Sequence, residues 1–273
     1  MVKITKDRLP SRHVSLGAKS APHRAYYYAM GLNEKEIMQP FVGVATCWNE
    51  SAPCNISLSR QAQETKKGVK KGLGTPREFT TISVTDGIAM GHEGMKSSLV
   101  SREIIADSIE VSMRGHCYDG LVGIAGCDKS LPGIMMAMLR LNVPSVFLYG
   151  GSILPGKFED KEVSIQDVFE AVGEFNSNKI DEKRLCALEK VACPSAGSCG
   201  GQFTANTMAC VAEAIGLALP GSSSPPASYE SRDKFAFKSG EITMDLINKG
   251  IKPRDIVTKK SLINAARIVA CSG

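Results

Sequence analysis

The chain has 273 residues, of which 43% are hydrophobic and 22% are charged, and its formal net charge is +5. This balance is typical of a soluble globular protein that is long enough to bury a large core. No uncharged apolar run approaches the ~18–20 residues that a membrane-spanning helix needs, so no such helix is expected. The net charge is modest, and its one basic run, Lys66, Lys67, Lys70 and Lys71, is interpreted as a solvated helix face, with a nucleic-acid patch as the minor alternative.

The predicted elements begin with a basic, polar arm at residues 1–40, which holds one short helical stretch at 25–30. From residue 41 onwards, apolar runs that resemble strands alternate with amphipathic helical patterns. The predicted strands are 41–46, 79–84, 120–125 and 145–149, and the predicted helices between them are 58–73, 99–114 and 132–141. This alternation predicts an α/β fold with a parallel-rich sheet covered by helices.

After residue 156 the pattern becomes mostly helical. The predicted helices are 165–175, 182–191, 202–219, 229–249 and 253–270, and the Pro- and Ser-rich segment 220–226 is typical of a linker. We therefore expect one domain over 1–273, divided into an N-terminal arm at 1–40, a βα core at 41–156 and a mostly helical part at 157–273. The sequence stops directly after a helical pattern, so we expect a longer natural protein.

Nine cysteines are present, an odd number, and residues 1–7 show no apolar segment of a signal peptide. A disulfide framework is typical of small secreted chains and not of a chain of this length. We therefore expect a cytoplasmic protein with free or metal-bound thiols.

Three polar turns follow predicted strands and carry possible ligands. Cys54 lies in the turn after the first strand, Asp86 in the turn after the second, and Cys127, Asp128 and Lys129 in the turn after the third. Ligands of open α/β sheets bind beyond the carboxyl ends of the strands, so these turns are expected to converge. Thiolates favour iron–sulfur clusters or zinc, and carboxylates favour Mg²⁺ or Mn²⁺. Taken singly, Cys127 could be an inert buried thiol and Asp86 a helix cap.

A fourth turn, Gly197-Ser198-Cys199-Gly200-Gly201, precedes a predicted helix. Its glycines let the backbone approach a ligand, and the start of a helix stabilises a thiolate. A phosphate-binding turn is the alternative, although neither GxGxxG nor GxxxxGKS is present. A local structural zinc site is not expected, since the chain has no C-x-x-C.

The remaining cysteines and histidines have simpler interpretations. Cys186 and Cys210 lie within helical patterns and are predicted to be core residues. Cys193 could lie near the site, but packing is the favoured interpretation. Cys47 and Cys117 are ambiguous. His92 and His116 flank the turns, but single histidines are more often structural hydrogen-bonding residues than ligands.

Three long motifs carry a resemblance to a known family. They are CDKSLPG at 127–133, GGSILPG at 150–156 and PSAGSCGGQFTANTM at 194–208. With them, residues 24–273 resemble the dihydroxy-acid dehydratase/6-phosphogluconate dehydratase family, and most closely its branch that acts in valine and isoleucine biosynthesis.

The resemblance implies a role for six residues. Cys54, Cys127 and Cys199 match ligands of an iron–sulfur cluster, usually [2Fe–2S] in this branch, with [4Fe–4S] as the alternative. Asp86 and Asp128 match Mg²⁺ ligands. Lys129 matches a lysine that CO₂ converts to N6-carboxylysine, a further Mg²⁺ ligand. The alternative for Lys129 is an ordinary surface pair with Asp128.

The implied reaction is the dehydration of 2,3-dihydroxyisovalerate and 2,3-dihydroxy-3-methylvalerate to 2-keto acids. In the family, a β-rich C-terminal domain supplies a further acidic Mg²⁺ ligand and a serine proposed as the base, and we find no matching segment. The catalytic base is therefore unknown here, and we expect the chain alone to be inactive and its full-length form to be a homodimer. A sugar-acid dehydratase acting on 6-phosphogluconate or an aldonate is one alternative, and a non-catalytic fragment or subunit is another.

Overall fold

A computed structural model describes residues 4–272 of the chain. Its centre is a four-stranded parallel sheet built from β1 (Phe41–Thr46), β2 (Thr75–Thr80), β3 (Gly120–Ala125) and β4 (Ser145–Tyr149), in the order β2-β1-β3-β4. Strands β1, β3 and β4 are buried along their whole length. Continuous apolar strands of this kind are covered on both faces, and this confirms the predicted α/β class with a parallel sheet.

The helices account for most of the remaining chain. They are α1 (Arg12–Ser15), α2 (Ala21–Ala29), α3 (Glu34–Met38), α4 (Pro53–Ile56), α5 (Leu58–Lys71), α6 (Asp86–Ala89), α7 (Lys96–Gly115), α8 (Ser130–Leu141), α9 (Ile165–Asn176), α10 (Glu182–Glu189), α11 (Thr204–Ala214), α12 (Glu230–Lys249), α13 (Pro253–Ile256) and α14 (Lys259–Ser272). None of the helices within residues 4–272 is long and apolar enough to cross a membrane.

The helices form two layers on the sheet. Right-handed crossovers between the parallel strands put α5 on one face of the sheet and α7 and α8 on the other. The helix contacts agree with this arrangement, since α5 packs on α12 while α7 packs on α8. The backbones of α5 and α12 touch: a Cβ on Gly68 would lie 1.9 Å from the carbonyl oxygen of Phe237, and one on Gly240 would lie 2.3 Å from that of Thr65. Only glycine permits this approach.

The N-terminal arm is attached to the sheet by a buried carboxylate. Asp119, directly before β3, accepts hydrogen bonds from the Ser11 amide at 2.8 Å, the Ser11 hydroxyl at 2.5 Å and the Phe41 amide at 2.7 Å. Burial raises the pKa of Asp119, although these hydrogen bonds oppose the rise. Lys6 lies with its Nζ 3.9 Å from the centre of the Phe41 ring, and burial lowers its pKa to about 8.

Several element boundaries differ from the prediction. The strand predicted at 79–84 is β2 at Thr75–Thr80, because β2 pairs residue by residue with β1 and ends where β1 ends. The β-branched residues after Thr80 lie beyond the sheet. Pro76 is tolerated within β2 because β2 is an edge strand, where the missing amide hydrogen is not needed.

Two predicted helices are also shorter than expected. The helix predicted at 202–219 is α11, which ends before Gly216, a residue in the left-handed conformation (φ +86°). The chain then runs beside β4, where the Phe147 amide donates to the Leu217 carbonyl at 2.8 Å. The helix predicted at 253–270 is split into α13 and α14 at Val257, which is extended. A short antiparallel pair, β5 (Gly156–Phe158) and β6 (Lys161–Val163), was not predicted.

The sheet order positions the site. β1 and β3 are neighbours at the centre of the sheet, although α5, β2 and α7 lie between them in sequence. Their following loops diverge to opposite faces, which leaves a crevice at their carboxyl ends. The loop from β1 carries Cys54, and the loop from β3 carries Cys127.

Candidate active site at the carboxyl edge of the sheet

Cys54 and Cys127 face each other across the crevice. Cys54 lies in α4, which begins at Pro53, and Cys127 follows β3 after Gly126. The two loops are in contact, since a Cβ on Gly126 would lie 1.9 Å from the Cys54 carbonyl oxygen. The Thr85 hydroxyl lies 3.7 Å from the Cys54 sulfur and 3.3 Å from the Cys127 sulfur, so it bridges the two thiols.

Cys199 reaches the same crevice from an irregular loop that is fixed on both sides. Gly197, in the left-handed region (φ +138°), lies so close to Ile153 that a Cβ would be 2.4 Å from its nitrogen. The Gly197 amide donates to the Pro53 carbonyl at 2.9 Å, and the Ile153 amide donates to the Ser198 carbonyl at 2.7 Å. The loop that carries Cys199 is thus hydrogen-bonded to the loop that carries Cys54.

A hydrogen-bonded chain from β4 supports the Cys199 loop. The side-chain amide of Asn206, in α11, donates to the Cys199 carbonyl at 3.0 Å and also to the Gly201 carbonyl. Its oxygen accepts the hydroxyl hydrogen of the buried Tyr149. On the other side of Tyr149, the guanidinium of the fully buried Arg232 donates to the Tyr149 carbonyl at 2.8 Å.

Cys54, Cys127 and Cys199 line one cavity of about 140 Å³, and Cys193 is a fourth cysteine among its lining residues. Asp128, Thr85 and Ser198 add polar atoms. The apolar part of the wall is formed by Pro53, Ile88, Ile153, Ile165 and Ala205. A space of this size accommodates a compact inorganic group among apolar neighbours, and soft thiol ligands suit iron–sulfur clusters.

The environment separates the acidities of the thiols. The hydrogen bond between Cys54 and Cys127, together with burial, raises the pKa of Cys54, and the same hydrogen bond lowers the pKa of Cys127. Burial raises the pKa of Cys199 to about 11. Near neutral pH, Cys199 is therefore a neutral thiol, and a metal bound to it would have to displace its proton.

Oxygen ligands adjoin the thiols. Asp86, at the start of α6, accepts hydrogen bonds from the Lys129 ammonium and the Ser98 hydroxyl. Burial, followed by the charge of Asp86, raises the pKa of the Asp128 carboxylate, and the charge of Lys129 opposes the rise. Because Asp128 also lines the thiol cavity, the carboxylates and the thiols share one wall.

Lys129 does not form the surface ion pair with Asp128 that was the alternative interpretation of this residue. Its ammonium is paired with Asp86 instead, and the side chains of Lys129 and Asp86 are only 17% and 14% exposed. Within residues 4–272, no three His, Cys, Asp or Glu side chains already surround a common metal position. The six predicted residues lie at or beside one crevice, because the three cysteines and Asp128 line the same cavity and Asp86 pairs with Lys129. Their roles as ligands stay predictions.

Other residues agree or disagree with their sequence interpretations. His92 and His116 make local hydrogen bonds, His92 with the Ile88 carbonyl and the Gly94 amide and His116 with the Ser112 carbonyl, as expected of structural histidines. Cys193 was predicted to pack, yet it is exposed and lines the cavity. Thr85 and Asn206 were missed, although both lie in or beside the motif turns, where a polar residue next to a predicted ligand is the available signal.

The fold and the site can now be compared with those of known protein families. Residues 39–273 match the family model described as "Dihydroxy-acid/6-phosphogluconate dehydratase N-terminal". The chain belongs to this family.

Curated relatives give a more particular likeness. The chain is 71% identical over 268 residues to the dihydroxy-acid dehydratase of Dinoroseobacter shibae, and the aligned region covers 98% of this chain and 46% of that protein. It is 69% identical over 273 residues to the dihydroxy-acid dehydratase of Pelagibacter ubique, covering 100% of this chain and 48% of that protein. Identity to the Sulfurisphaera tokodaii dihydroxy-acid dehydratase is 53% over 257 residues, 94% of this chain and 46% of that protein. The chain thus spans about half the length of the curated relatives that it matches.

Proposed function

We propose that this chain is the metal-binding part of a hydro-lyase that converts 2,3-dihydroxy acids to 2-keto acids. The observation that carries the proposal is the wall shared by three thiols and the Asp128 carboxylate at the carboxyl ends of β1 and β3. A dihydroxy acid has a carboxylate and two adjacent hydroxyl groups. A soft site beside a hard site suits such a substrate, since its two ends could be held at once. The names of the relatives support the same reaction.

Cys54, Cys127 and Cys199 would hold an iron–sulfur cluster, with [2Fe–2S] proposed and [4Fe–4S] as the alternative. Asp86, Asp128 and a carboxylated Lys129 would hold Mg²⁺. When bound, the cluster would supply a Lewis-acidic iron toward the leaving hydroxyl, and Mg²⁺ would stabilise the negative charge that develops on the carboxylate side of the substrate. The donor types fit these groups, because the thiols line the apolar cavity and the oxygen donors lie at its side.

The protein's own residues prepare the site in two ways. Cys54 and Cys127 are each only 4% exposed and share the cavity with the buried Ile153, so electrostatic interactions at these two thiols are stronger than in water. The Thr85 hydroxyl lies near both the Cys54 and the Cys127 sulfur, so this one side chain links the two thiols. Together they keep Cys54 and Cys127 close to each other before any group binds.

The proposed carboxylation of Lys129 requires the neutral form of its side-chain amine. Its ammonium is mostly buried against Asp86. A neutral amine at this position can attack CO₂ and release a proton, which gives a carbamate with two oxygen donors. The negative carbamate no longer attracts Asp86, so both would need a shared cation between them. We assign no catalytic base among the described residues.

A sugar-acid dehydratase is the second candidate, because the name of the family includes 6-phosphogluconate dehydratase. The relatives in the comparisons favour the dihydroxy-acid substrate. We also propose a cytoplasmic location, since the ligand thiols must stay reduced, and a homodimer for the full-length protein, as the resemblance implies.

One experiment tests the reaction and the substrate together. The protein from the complete reading frame is purified without oxygen, loaded with iron, sulfide and Mg²⁺, and assayed for keto-acid formation from 2,3-dihydroxyisovalerate and from 6-phosphogluconate. We expect turnover of the first substrate. Turnover of the second alone would support the sugar-acid candidate. Failure of Cys54→Ser, Cys127→Ser and Cys199→Ser to reduce the iron content would refute the proposed ligands.

A further inference from the structure

We propose that the groove between α2 and α5 is a binding site for a nucleoside phosphate, whose ring lies on α2 and whose phosphate lies between α5 and β2. The groove runs along the free edge of β2 and shares none of its described lining residues with the thiol cavity. The inference therefore goes beyond the proposed function and does not depend on it. It also gives a use to the basic run on α5, which the dehydration does not explain.

Two helical stripes of different chemistry line this groove, whose volume is about 1130 Å³. The residues that α2 and its C-terminal end contribute have the i, i+3, i+4, i+7 spacing of one helix face; they are His23, Tyr26, Tyr27 and Met30. The residues that α5 contributes have the same spacing; they are Gln63, Lys66, Lys67 and Lys70. An aromatic stripe and a basic stripe thus share one groove.

The aromatic stripe is open to a ligand and is anchored behind. Tyr26 is 72% exposed, so its ring is free to stack. The next residue, Tyr27, is fixed by an edge contact with Phe41, with ring centres 5.1 Å apart. His116 and Tyr118 also line the groove and are stacked on each other at 5.6 Å. Aromatic side chains of this kind accept any nucleobase, because every base has a π-face.

Arg77, on β2, is the main group for binding a phosphate. Its Nε is buried and makes no hydrogen bond within residues 4–272. Burial raises the pKa of Tyr27 to about 12 and also raises the pKa of Tyr118, and in both cases the charge of Arg77 opposes the rise. The guanidinium therefore lies near both tyrosine hydroxyls, and these three groups can donate hydrogen bonds to one phosphate.

The charges in the groove favour an anion. Among the described residues that line it, four are cationic and two are carboxylates; they are Lys66, Lys67, Lys70 and Arg77, against Glu36 and Glu78. Glu78 is already paired with Lys66 at 2.6 Å, and Glu36 caps the start of α3. Lys70 and Arg77 make no ion pair within residues 4–272, so their charges are available to a ligand.

The free edge of β2 does not suit a peptide strand. The amides of Thr75 and Thr81 donate toward β1, at 2.8 Å and 2.9 Å, so the residues that alternate with them present their backbone groups to the groove. Pro76 is the first of these and has no amide hydrogen to donate. An added strand would lose a hydrogen bond there, as is typical of edge strands that resist pairing.

The length of the aromatic stripe favours one nucleotide over a nucleic-acid strand. From His23 to Met30 the helix rises by roughly 10 Å. Proteins that bind single strands need a groove that follows about 4–16 nucleotides. The stripe is too short for such a path, and a single ring with its phosphate fits between the two helices.

Calorimetric titration of AMP into the protein from the complete reading frame tests the inference. Adenosine and inorganic phosphate, titrated separately, measure the two halves of the ligand. The variants are Arg77→Gln, Lys70→Gln and Tyr26→Ala, and Arg267→Gln is the matched control. Arg267 is exposed on α14 and does not line the groove. Lys70 and Tyr26 are exposed, so their variants should fold even if Arg77→Gln does not.

We expect AMP to bind more tightly than adenosine or phosphate. Arg77→Gln and Tyr26→Ala should each weaken AMP binding at least about tenfold, through loss of charge-assisted hydrogen bonds and of stacking respectively. Lys70→Gln should weaken AMP binding less but reduce its dependence on salt. Arg267→Gln should match wild type. The iron content of the loaded protein should be the same in all five proteins, because the groove is separate from the thiol cavity.

The results distinguish this inference from the proposed function. A wild type that does not bind AMP, or variants that bind it as tightly as wild type, would overturn the inference and leave the dehydratase proposal intact. Displacement of AMP by 2,3-dihydroxyisovalerate would place AMP in the candidate active site and would also overturn it. Tighter binding of single-stranded RNA that competes with AMP would refute the ligand class. AMP binding that needs Arg77 and Tyr26, in a protein that holds no iron, would support this inference while the proposed function fails.

Discussion

Asn206 offers a sharp test of how the Cys199 loop is held. Its side chain donates to the carbonyls of Cys199 and Gly201 and accepts from the hydroxyl of Tyr149, which is 1% exposed. Asn206→Ala removes all three hydrogen bonds. At about 1 kcal/mol for each, the free energy of unfolding should fall by ~3 kcal/mol.

Two further variants divide this loss. Tyr149→Phe removes one hydrogen bond and should cost about 1 kcal/mol. Asn206→Asp keeps the acceptor for Tyr149 but loses both donors and turns a carboxylate toward two carbonyl oxygens, so it should cost at least ~2 kcal/mol. Asn176→Ala, at the exposed end of α9, is the control and should be neutral.

The measurements are urea unfolding of the metal-free protein and the rate of iron loss from the loaded protein to a chelator. A looser Cys199 loop should raise the rate of iron loss about tenfold in Asn206→Ala, as is typical when support for a metal ligand is removed. A loss of stability below about 0.5 kcal/mol, with unchanged iron retention, would refute the idea that this hydrogen-bonded chain holds the loop.

Three other predictions concern separate parts of the molecule. Asp128→Asn should weaken Mg²⁺ binding in calorimetry yet leave the visible absorbance of the cluster largely intact; loss of the cluster with normal Mg²⁺ binding would reverse the roles proposed here. Gly68→Ala should lower the free energy of unfolding by ~1–3 kcal/mol, because the new methyl group would overpack against Phe237. The control Gly173→Ala, with no atom within 4 Å of the new Cβ, should not destabilise the protein. Equal effects of the two substitutions in urea unfolding would contradict the close packing of α5 on α12. Burial lowers the pKa of Lys6 to about 8 from 10.5. Between pH 8 and pH 10.5 the unfolded state therefore binds more protons than the folded state, and the stability of wild type should rise with pH over this range. An identical dependence of stability on pH in Lys6→Met would show that this burial has no energetic effect.

The central sheet could be predicted from the sequence because its strands are short, continuous apolar runs. The bounds of β1, β3 and β4 agree with the prediction, since these strands are buried and every residue except Tyr149 is apolar or small. The edge strand β2 could not be placed, because its position depends on pairing with β1 and not on its own composition. The β5–β6 pair is too short to give a periodic signal.

The neighbourhood of the predicted ligands followed from one rule, that the loops after parallel strands meet at one edge of the sheet. That rule reaches Cys54, Asp86 and Cys127 but says nothing of the irregular segment 191–203. The position of Cys193 is set by tertiary contacts from β5 and from Leu154, which no local pattern reveals.

The strand order has a consequence for the sequence of events during biosynthesis. Cys54, Cys127 and Cys199 come from three distant segments, and their loops are joined only through contacts such as those of Gly126 with Cys54 and of Gly197 with Pro53. A nascent chain that has not yet emerged beyond residue 199 has no complete set of thiols to offer. The iron–sulfur cluster proposed above would therefore not nucleate this domain, unlike the zinc of small modules whose ligands are close in sequence. On this proposal the native topology forms first, and the cluster is inserted afterwards.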